Sequence, residues 1–363
     1  MAEGLSETLL EWYQRNARDL PWRRTRDPYA IWVAEIMLQQ TRVETVLPYY
    51  RRWMGRFPEP RVLAEASSDD IMSAWEGLGY YRRAHLMQRA AKKILTDHNG
   101  EIPRSQESLR HLPGVGEYTA AAIGAIAFDQ DVIALDGNLR RVLARLMNLD
   151  LDPHSPEGKT RLADFARSLL PPGKASAFNQ ALMDLGATVC LPRAPACSVC
   201  PVAVHCRSFA AGTQIDRPVR RRRPPIPSVR RACAVLERNG KILLRQRPQG
   251  GLLGGLWEFP GVDVGDGDEL EEGLRRELNG ALGMDVDVKL RIGIYRHTYT
   301  HFRVAAHVFR CSCDGCEPSP KDEVLFRWVD VHRLQEKPMG KIDRRIANDL
   351  VGMSVTGRAN QRS

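Results

Sequence analysis

No stretch of the 363-residue sequence is long and apolar enough to form a helix across a bilayer. The most apolar run, Thr119 to Phe128, has ten residues and is largely alanine. The opening segment "MAEGLSETLLEW" starts acidic and lacks the basic n-region and apolar core of a signal peptide. No internal repeat is evident. Acidic residues are the scarcer charge, 44 Asp and Glu against 53 Lys and Arg, for a formal charge of +9 and a pI near 9.3. The absent span and leader lead to the expectation of a cytoplasmic protein, in which eight cysteines serve as ligands or free thiols rather than disulfides. The basic surplus suits an anionic partner, nucleic acid first among them, although basic enzymes without such a partner carry similar charge.

A hydrophobic content of 43% is normal for a chain that buries real cores, and the length allows two ordinary domains. From Leu5 to about Phe209 the apolar spacing is mostly helical. In "RRVLARLM", for instance, Leu139, Val142, Leu143 and Leu146 share one face. "RPVRRRRPPIPSVRR", residues 217 to 231, then packs four prolines and seven arginines together, which prevents a continuous helix and reads as a linker. Beyond it, "ACAVLERNGKILLRQRP" alternates and turns at Asn239-Gly240, and "YRHTYTHFRVAAHVF" continues in strand-like style. The expected fold is multidomain: an all-α region over 1–212, a Pro/Arg-rich linker over 213–228, a smaller α+β domain over 229–350 and a polar tail over 351–363.

The most specific signal is "CLPRAPACSVCPVAVHC", in which Cys190, Cys197, Cys200 and Cys206 are separated by six, two and five residues. Four thiolates in so short a segment can enclose one soft metal centre, and spacing alone leaves zinc and an iron–sulfur cluster about even. Cys233, Cys311, Cys313 and Cys316 have no partner histidine at a useful spacing and read as free thiols. The C-x6-C-x2-C-x5-C run resembles the [4Fe–4S] loop of the endonuclease III and MutY family of DNA glycosylases. That resemblance implies a [4Fe–4S] cofactor here, with a cluster module built from about 1–23 and 136–212 around a six-helix barrel over about 24–135.

"HLPGVGEYTAAAI", residues 111 to 123, sets Pro113, Gly114 and Gly116 ahead of a small-residue run. Such a loop lets backbone N–H groups approach an anion, and the next helix adds a positive dipole end. Taken alone, "LPGVG" is as readily a turn between helices. With the following run it resembles the helix-hairpin-helix of the same family, which implies that Leu112, Gly114 and Gly116 grip the DNA backbone irrespective of sequence. At the position of Tyr118 the lyase members carry a lysine, the Schiff-base nucleophile. A phenol forms no imine, so the base–sugar bond should be cut with water and the strand left whole.

Two carboxylates stand out. Glu35 lies in "IWVAEIMLQQT" among apolar neighbours that should disfavour its charge, as a general acid requires, although the outer edge of a core helix would also accommodate it. In "VIALDGNLRRVL", Asp136 and Asn138 precede an amphipathic helix and read by themselves as caps. Together "AEIMLQQT", "GLGYY", "LPGVG", "LDGN" and the cysteine loop occur in the order and roughly the spacing of MutY-type adenine glycosylases. By that resemblance Glu35 protonates adenine at N7, and Asp136 stabilises the cationic sugar or bonds to it transiently before water adds. Tyr118 and Asn138 position Asp136 and the water, and Gln40, Thr41 and Tyr80 fill or wedge the stack vacated by the flipped base. Read alone, Gln40 is equally an ordinary helix residue, and Tyr80 a buried aromatic beside a glycine turn.

The C-terminal part resembles a Nudix domain in "LLGGLWEFPG" and "LRREL". The run "RRELNGALG" puts Gly280 and Ala281 where a working Nudix helix has Mg2+-binding glutamates, which argues against nucleotide hydrolysis. In the family this domain reads 8-oxoguanine through a loop spelled Phe-Ser-His. Tyr299, Thr300 and His301 stand there, keeping an aromatic, a hydroxyl and an imidazole that can sense an N7–H donor and an O8 acceptor. A plain hairpin tip fits the same residues.

The expected protein is a monofunctional adenine DNA glycosylase of base excision repair. Its partner is double-stranded DNA with A:8-oxoguanine or A:G mispairs. It is a monomer associated with the bacterial nucleoid, with the 213–228 linker available to other proteins. An endonuclease III-like glycosylase/lyase and a non-catalytic iron–sulfur DNA-binding protein remain as alternatives.

Overall fold

A computed structural model describes residues 2–219, 225–248, 251–313 and 325–359. The chain divides into two compact units, one of Met1–Glu65 with Leu86–Arg223, the other of Ala66–His85 with Pro224–Ser363. The Ala66–His85 segment, expected from sequence inside the helical region, is thus grouped with the second unit.

The first unit is helical throughout, as its periodicity predicts. Its centre is the helix Pro28–Leu38, started by Pro28 and by Asp27, whose carboxylate accepts the N–H groups of Tyr29 and Ala30. Every residue from Tyr29 to Met37 is buried, Glu35 included. A helix that is apolar all round must be enclosed by others. One of its neighbours is Glu117–Phe128, buried from Thr119 to Ile126. Gly124 makes a close approach possible there: a Cβ would lie 2.1 Å from Nε2 of Gln106. That amide instead donates to the Ala120 carbonyl and to Gln130.

A second core gathers the helices Ala2–Asn16, Gly137–Leu146, Pro156–Leu169 and Ala175–Thr188 around Leu9, Leu143 and Phe178. Leu139, Val142, Leu143 and Leu146 are all buried in it, on the face their spacing predicts.

In the second unit seven strands form one sheet among the described residues: β1 (Ser228–Arg238), β2 (Lys241–Gln246), β3 (Trp257–Glu258), β4 (Gly261–Val264), β5 (Asp287–Thr298), β6 (Arg303–Ser312) and β7 (Phe326–Asp330). Its main path runs β3-β2-β1-β6-β5, with β4 beside β1 and β7 beside β2. The β1–β2 hairpin closes at Asn239 and Gly240, both at positive φ as a two-residue turn requires. β1 and β6 are parallel, and the other pairs among β1–β7 in the described residues are antiparallel; an isolated parallel bridge joins Trp257 to Met339. The helix Leu270–Leu282 covers one sheet face and Lys341–Ala359 the other. The latter helix runs into the stretch expected to be a tail. Cys313 is disulfide-bonded, which corrects its reading as a free thiol, while Cys233 and Cys311 are free and buried. Cys316 lies outside the described residues.

Candidate active site

Glu35 is 4% exposed. The phenol of Tyr118 donates to its Oε2 at 2.5 Å. Burial pushes the Glu35 carboxyl up to about 7; the Tyr118 hydrogen bond and, more weakly, Arg23 oppose that rise, while the charge of Asp136 adds to it. Burial and the nearby Glu35 and Asp136 carboxylates keep Tyr118 well above the ordinary tyrosine range. The sequence-based expectation had Tyr118 beside Asp136; its hydrogen bond goes to Glu35 instead.

Asp136 caps the helix Gly137–Leu146. Its Oδ1 accepts the Leu139 N–H at 2.6 Å, and Oδ2 accepts the Asn138 amide at 3.3 Å. Burial raises its pKa too, against the Leu139 and Asn138 N–H groups and Arg141. The loop leading to it is pinned by buried Asn179, which accepts the Ala134 N–H and donates to the Val132 carbonyl. Asn138 is held in turn by Arg141, whose Nη2 donates to it at 2.9 Å and to the Gly186 carbonyl at 2.7 Å. Gly186 lets that helix come near: a Cβ there would lie 2.8 Å from the Asn138 Cβ. The capping and catalytic readings of Asp136 therefore describe one geometry, since the donors that cap the helix also hold the carboxylate.

A cleft of about 670 Å³ opens beside these groups, lined by Glu35, Thr41 and Asn138 and walled by Trp22, Leu38 and Met183. Arg18, Arg23 and Gln180 also reach it, and sequence reasoning missed all three. Both arginines converge on Asp184, which is wholly buried and accepts from Arg18 at 2.6 Å and Arg23 at 2.7 Å. Burial disfavours its charge, but the two guanidiniums hold its pKa below the ordinary value. A lone carboxylate in the apolar run "QALMDLGA" is the same signal that exposed Glu35.

The four spaced cysteines line one small pocket with Val142, Arg145 and Leu185. Among the described residues no group of three Cys, His, Asp or Glu could hold a metal ion. Burial pushes Cys200 up to about 11 and raises Cys197 and Cys206. Arg145, 1% exposed, donates to Cys190 Sγ at 3.3 Å and to the carbonyls of Leu191, Pro192 and Arg217. Among the described residues no carboxylate forms an ion pair with it.

The hairpin over Leu112–Gly116 leaves Gly114 and Gly116 exposed, with Gly114 at φ +81° and open space beside Gly116. Leu112 is buried, so its side chain faces the core. Gln40 stands outside any helix, exposed and at φ 57°, and Thr41 follows it at the cleft.

In the second unit Tyr80 is 38% exposed at φ 49°, a strained placement for a side chain facing solvent. Arg83 lies over its ring at 5.4 Å, and its hydroxyl is 2.7 Å from Thr300 Oγ1. Tyr299 is packed between His297 and Phe302, leaving Thr300 and His301 exposed at the β5–β6 tip. Glu277 bonds Arg245, and Glu258 is enclosed by Arg231, Arg245 and Arg247.

Comparison with known proteins identifies both domains. Residues 33–167 match the HhH-GPD superfamily of base excision DNA repair proteins, and residues 231–349 match the NUDIX domain. The human adenine DNA glycosylase is 37% identical over 89% of this chain and 69% of its own length. That of Mycobacterium tuberculosis is 43% identical over 60% of this chain and 72% of its own. A solved thermostable thymine-DNA glycosylase superposes with a TM-score of 0.53 at 30% identity, covering 57% of this chain and 95% of that one. The chain belongs to the adenine DNA glycosylase family, hydrolases of base excision repair that act on DNA.

Proposed function

We propose that the enzyme excises adenine paired with 8-oxoguanine, and secondarily with guanine, from duplex DNA. The observation that carries the mechanism is the buried, Tyr118-bonded Glu35 on the cleft that Asn138 also lines. An adenine flipped out of the helix fits between the apolar walls of Trp22, Leu38 and Met183, with the Gln180 amide available to its edge. With a pKa of about 7, Glu35 still carries a proton near neutrality and gives it to N7. The C1′–N9 electron pair then leaves with a neutral base. Asp136, its charge favoured by Leu139, Asn138 and Arg141, faces the developing oxocarbenium. Water adds at C1′ and its proton returns to a carboxylate. Tyr118 has no amine to form an imine, so the product is an abasic site in an intact strand.

Gln40, Thr41 and Tyr80 are assigned to the gap left by the flipped base, and Gly114 and Gly116 to the phosphates. Thr300 and His301 are assigned to the lesion, with Tyr299 as their scaffold. Cys190, Cys197, Cys200 and Cys206 would hold a [4Fe–4S] cluster. Four cysteines on one pocket supply the thiolate donor set that such a cluster takes. Bound, it would supply the negative centre facing Arg145 and fix the loop. A monomer suffices for all of this.

The test is a duplex with one A:8-oxoguanine pair. Wild type should give strand breaks only after alkali, and Asp136→Asn should bind the duplex while releasing little adenine. Breaks without alkali, or full turnover by Asp136→Asn, would reject the mechanism.

A further inference from the structure

The sheet of the second unit carries an arginine-rich face that none of the assigned roles uses. β6 alternates, so Arg303, Ala305 and His307 share the face covered farther along by the helix Leu270–Leu282. Opposite Arg303 stands Thr298, opposite Ala305 are Arg296 on β5 and Arg230 on β1, and opposite His307 are Ile294 and Ala232. Arg291 adds a fourth guanidinium along β5. Arg291, Arg296 and Arg303 are exposed and have no ion-pair partner among the described residues. Arg230 is half-buried and donates to the backbone of Gly265 and Asp268.

The convergence of these charges registers on His307. Burial first, then Arg291, Arg230 and Arg296, hold its imidazole below the ordinary range, with Glu271 the one opposing charge. Ala305 leaves the floor low between its flanking arginines, which stand two strand spacings, about 10 Å, apart. The row also begins at the base of the hairpin whose tip carries Thr300 and His301, since Thr298 and Arg303 form its first pair. From Arg303 to His307 it extends about 13 Å along the strand, room for two successive phosphates.

We propose that this face is a track for the phosphate backbone of the bound duplex, gripping DNA without regard to sequence or lesion. Its physical basis is release of counterions from phosphates by unpaired guanidiniums, and it depends on the family's DNA substrate, not on the lesion-reading assignment.

The test compares the full-length protein with Arg296→Gln/Arg303→Gln and with Arg296→Lys/Arg303→Lys. Affinity for a duplex containing A:8-oxoguanine and for an undamaged duplex is measured by anisotropy over a range of salt. Removing two phosphate contacts should flatten the slope of log affinity against log salt by about 1.8. Both duplexes should weaken alike, with the single-turnover rate at saturating enzyme changed less than about twofold. The lysine pair should keep the wild-type slope. An unchanged slope in the glutamine pair would overturn the track. Weakening confined to the 8-oxoguanine duplex would do the same, by moving these residues to lesion reading and leaving that reading intact. Equal loss in the lysine pair would make the arginines structural and also overturn it.

Discussion

Replacing Glu35 with glutamine should abolish adenine release and, at the same time, stabilise the protein increasingly as pH rises. The carboxyl has a folded-state pKa of about 7 against an ordinary 4.5 because it is buried. Each pH unit is worth about 1.4 kcal/mol, so ionising it inside the fold costs about 3 kcal/mol once pH exceeds both values. The sign follows from the raised value: the stability contributed by Glu35 is fully present below 4.5 and is lost as pH climbs through about 7. Glutamine matches the shape and still accepts the Tyr118 phenol, but it never ionises.

The amide also buries an N–H pair, an offset that does not vary with pH. The informative quantity is therefore how the difference in Tm changes, not its absolute size. Relative to wild type, Glu35→Gln should gain about 2 kcal/mol between pH 5 and pH 8, roughly 5 °C for a unit of this size. Calorimetry of the DNA-free protein across that range is the assay, paired with single-turnover excision, where loss of the proton donor should remove about 10²–10⁴-fold in rate. A Tm difference that stays flat with pH would mean that Glu35 ionises as freely in the fold as out of it, and the general-acid argument would fail.

Tyr118→Phe removes the hydrogen bond that favours the Glu35 anion, so the alkaline limb of the single-turnover pH profile should move up. A downward move would contradict the bonding described. Gly186→Ala puts a Cβ 2.8 Å from the Asn138 Cβ. Relieving that contact shifts Asn138 and with it the Asp136 carboxylate, and a misplacement of about 1 Å there can cost up to about 100-fold in rate, while DNA affinity should hardly change; equal loss of both would point to general unfolding. Arg145→Met leaves three carbonyls and Cys190 without their buried donor. It should destabilise the helical unit by about 3 kcal/mol, seen in denaturant melts together with weakened absorbance of the proposed cluster, and unchanged melts would show that the guanidinium is not needed there.

The elements legible in the sequence are those specified over short distances. Glu35 stood out because a helix buried on every side has no ordinary place for a carboxylate. Asn239-Gly240 marked its hairpin because Asn-Gly is among the pairs that most readily adopt positive φ twice in succession. What the sequence did not disclose depends on residues far apart in the chain. Asp184 meets Arg18 and Arg23 across more than 160 positions, and nothing local to either arginine announces it. Tyr118 was recognised by its position, yet its partner could not be read, since Glu35 and Asp136 both lie within its electrostatic reach. Helical periodicity likewise could not show that Ala66–His85 groups with the sheet-bearing unit. Tyr80, for its part, owes its exposure to a turn whose Gly77 and Gly79 have positive φ.

Arg141 is where these long-range features acquire a consequence for chemistry. Its Nε donates to the Cys190 carbonyl at 2.9 Å, and its Nη2 to Asn138. Asn138 in turn donates to Asp136. A hydrogen bond from a charged donor contributes about 1.5–3 kcal/mol. Disordering the cysteine loop would therefore free Arg141 on one side and loosen Asn138 on the other, withdrawing donors that favour the Asp136 anion. Since burial already pushes Asp136 upward, fewer donors mean more of it protonated at a given pH and less negative charge facing the sugar cation. Damage at the cysteines should accordingly slow bond cleavage in protein that still binds DNA, without any contact between the loop and the substrate base.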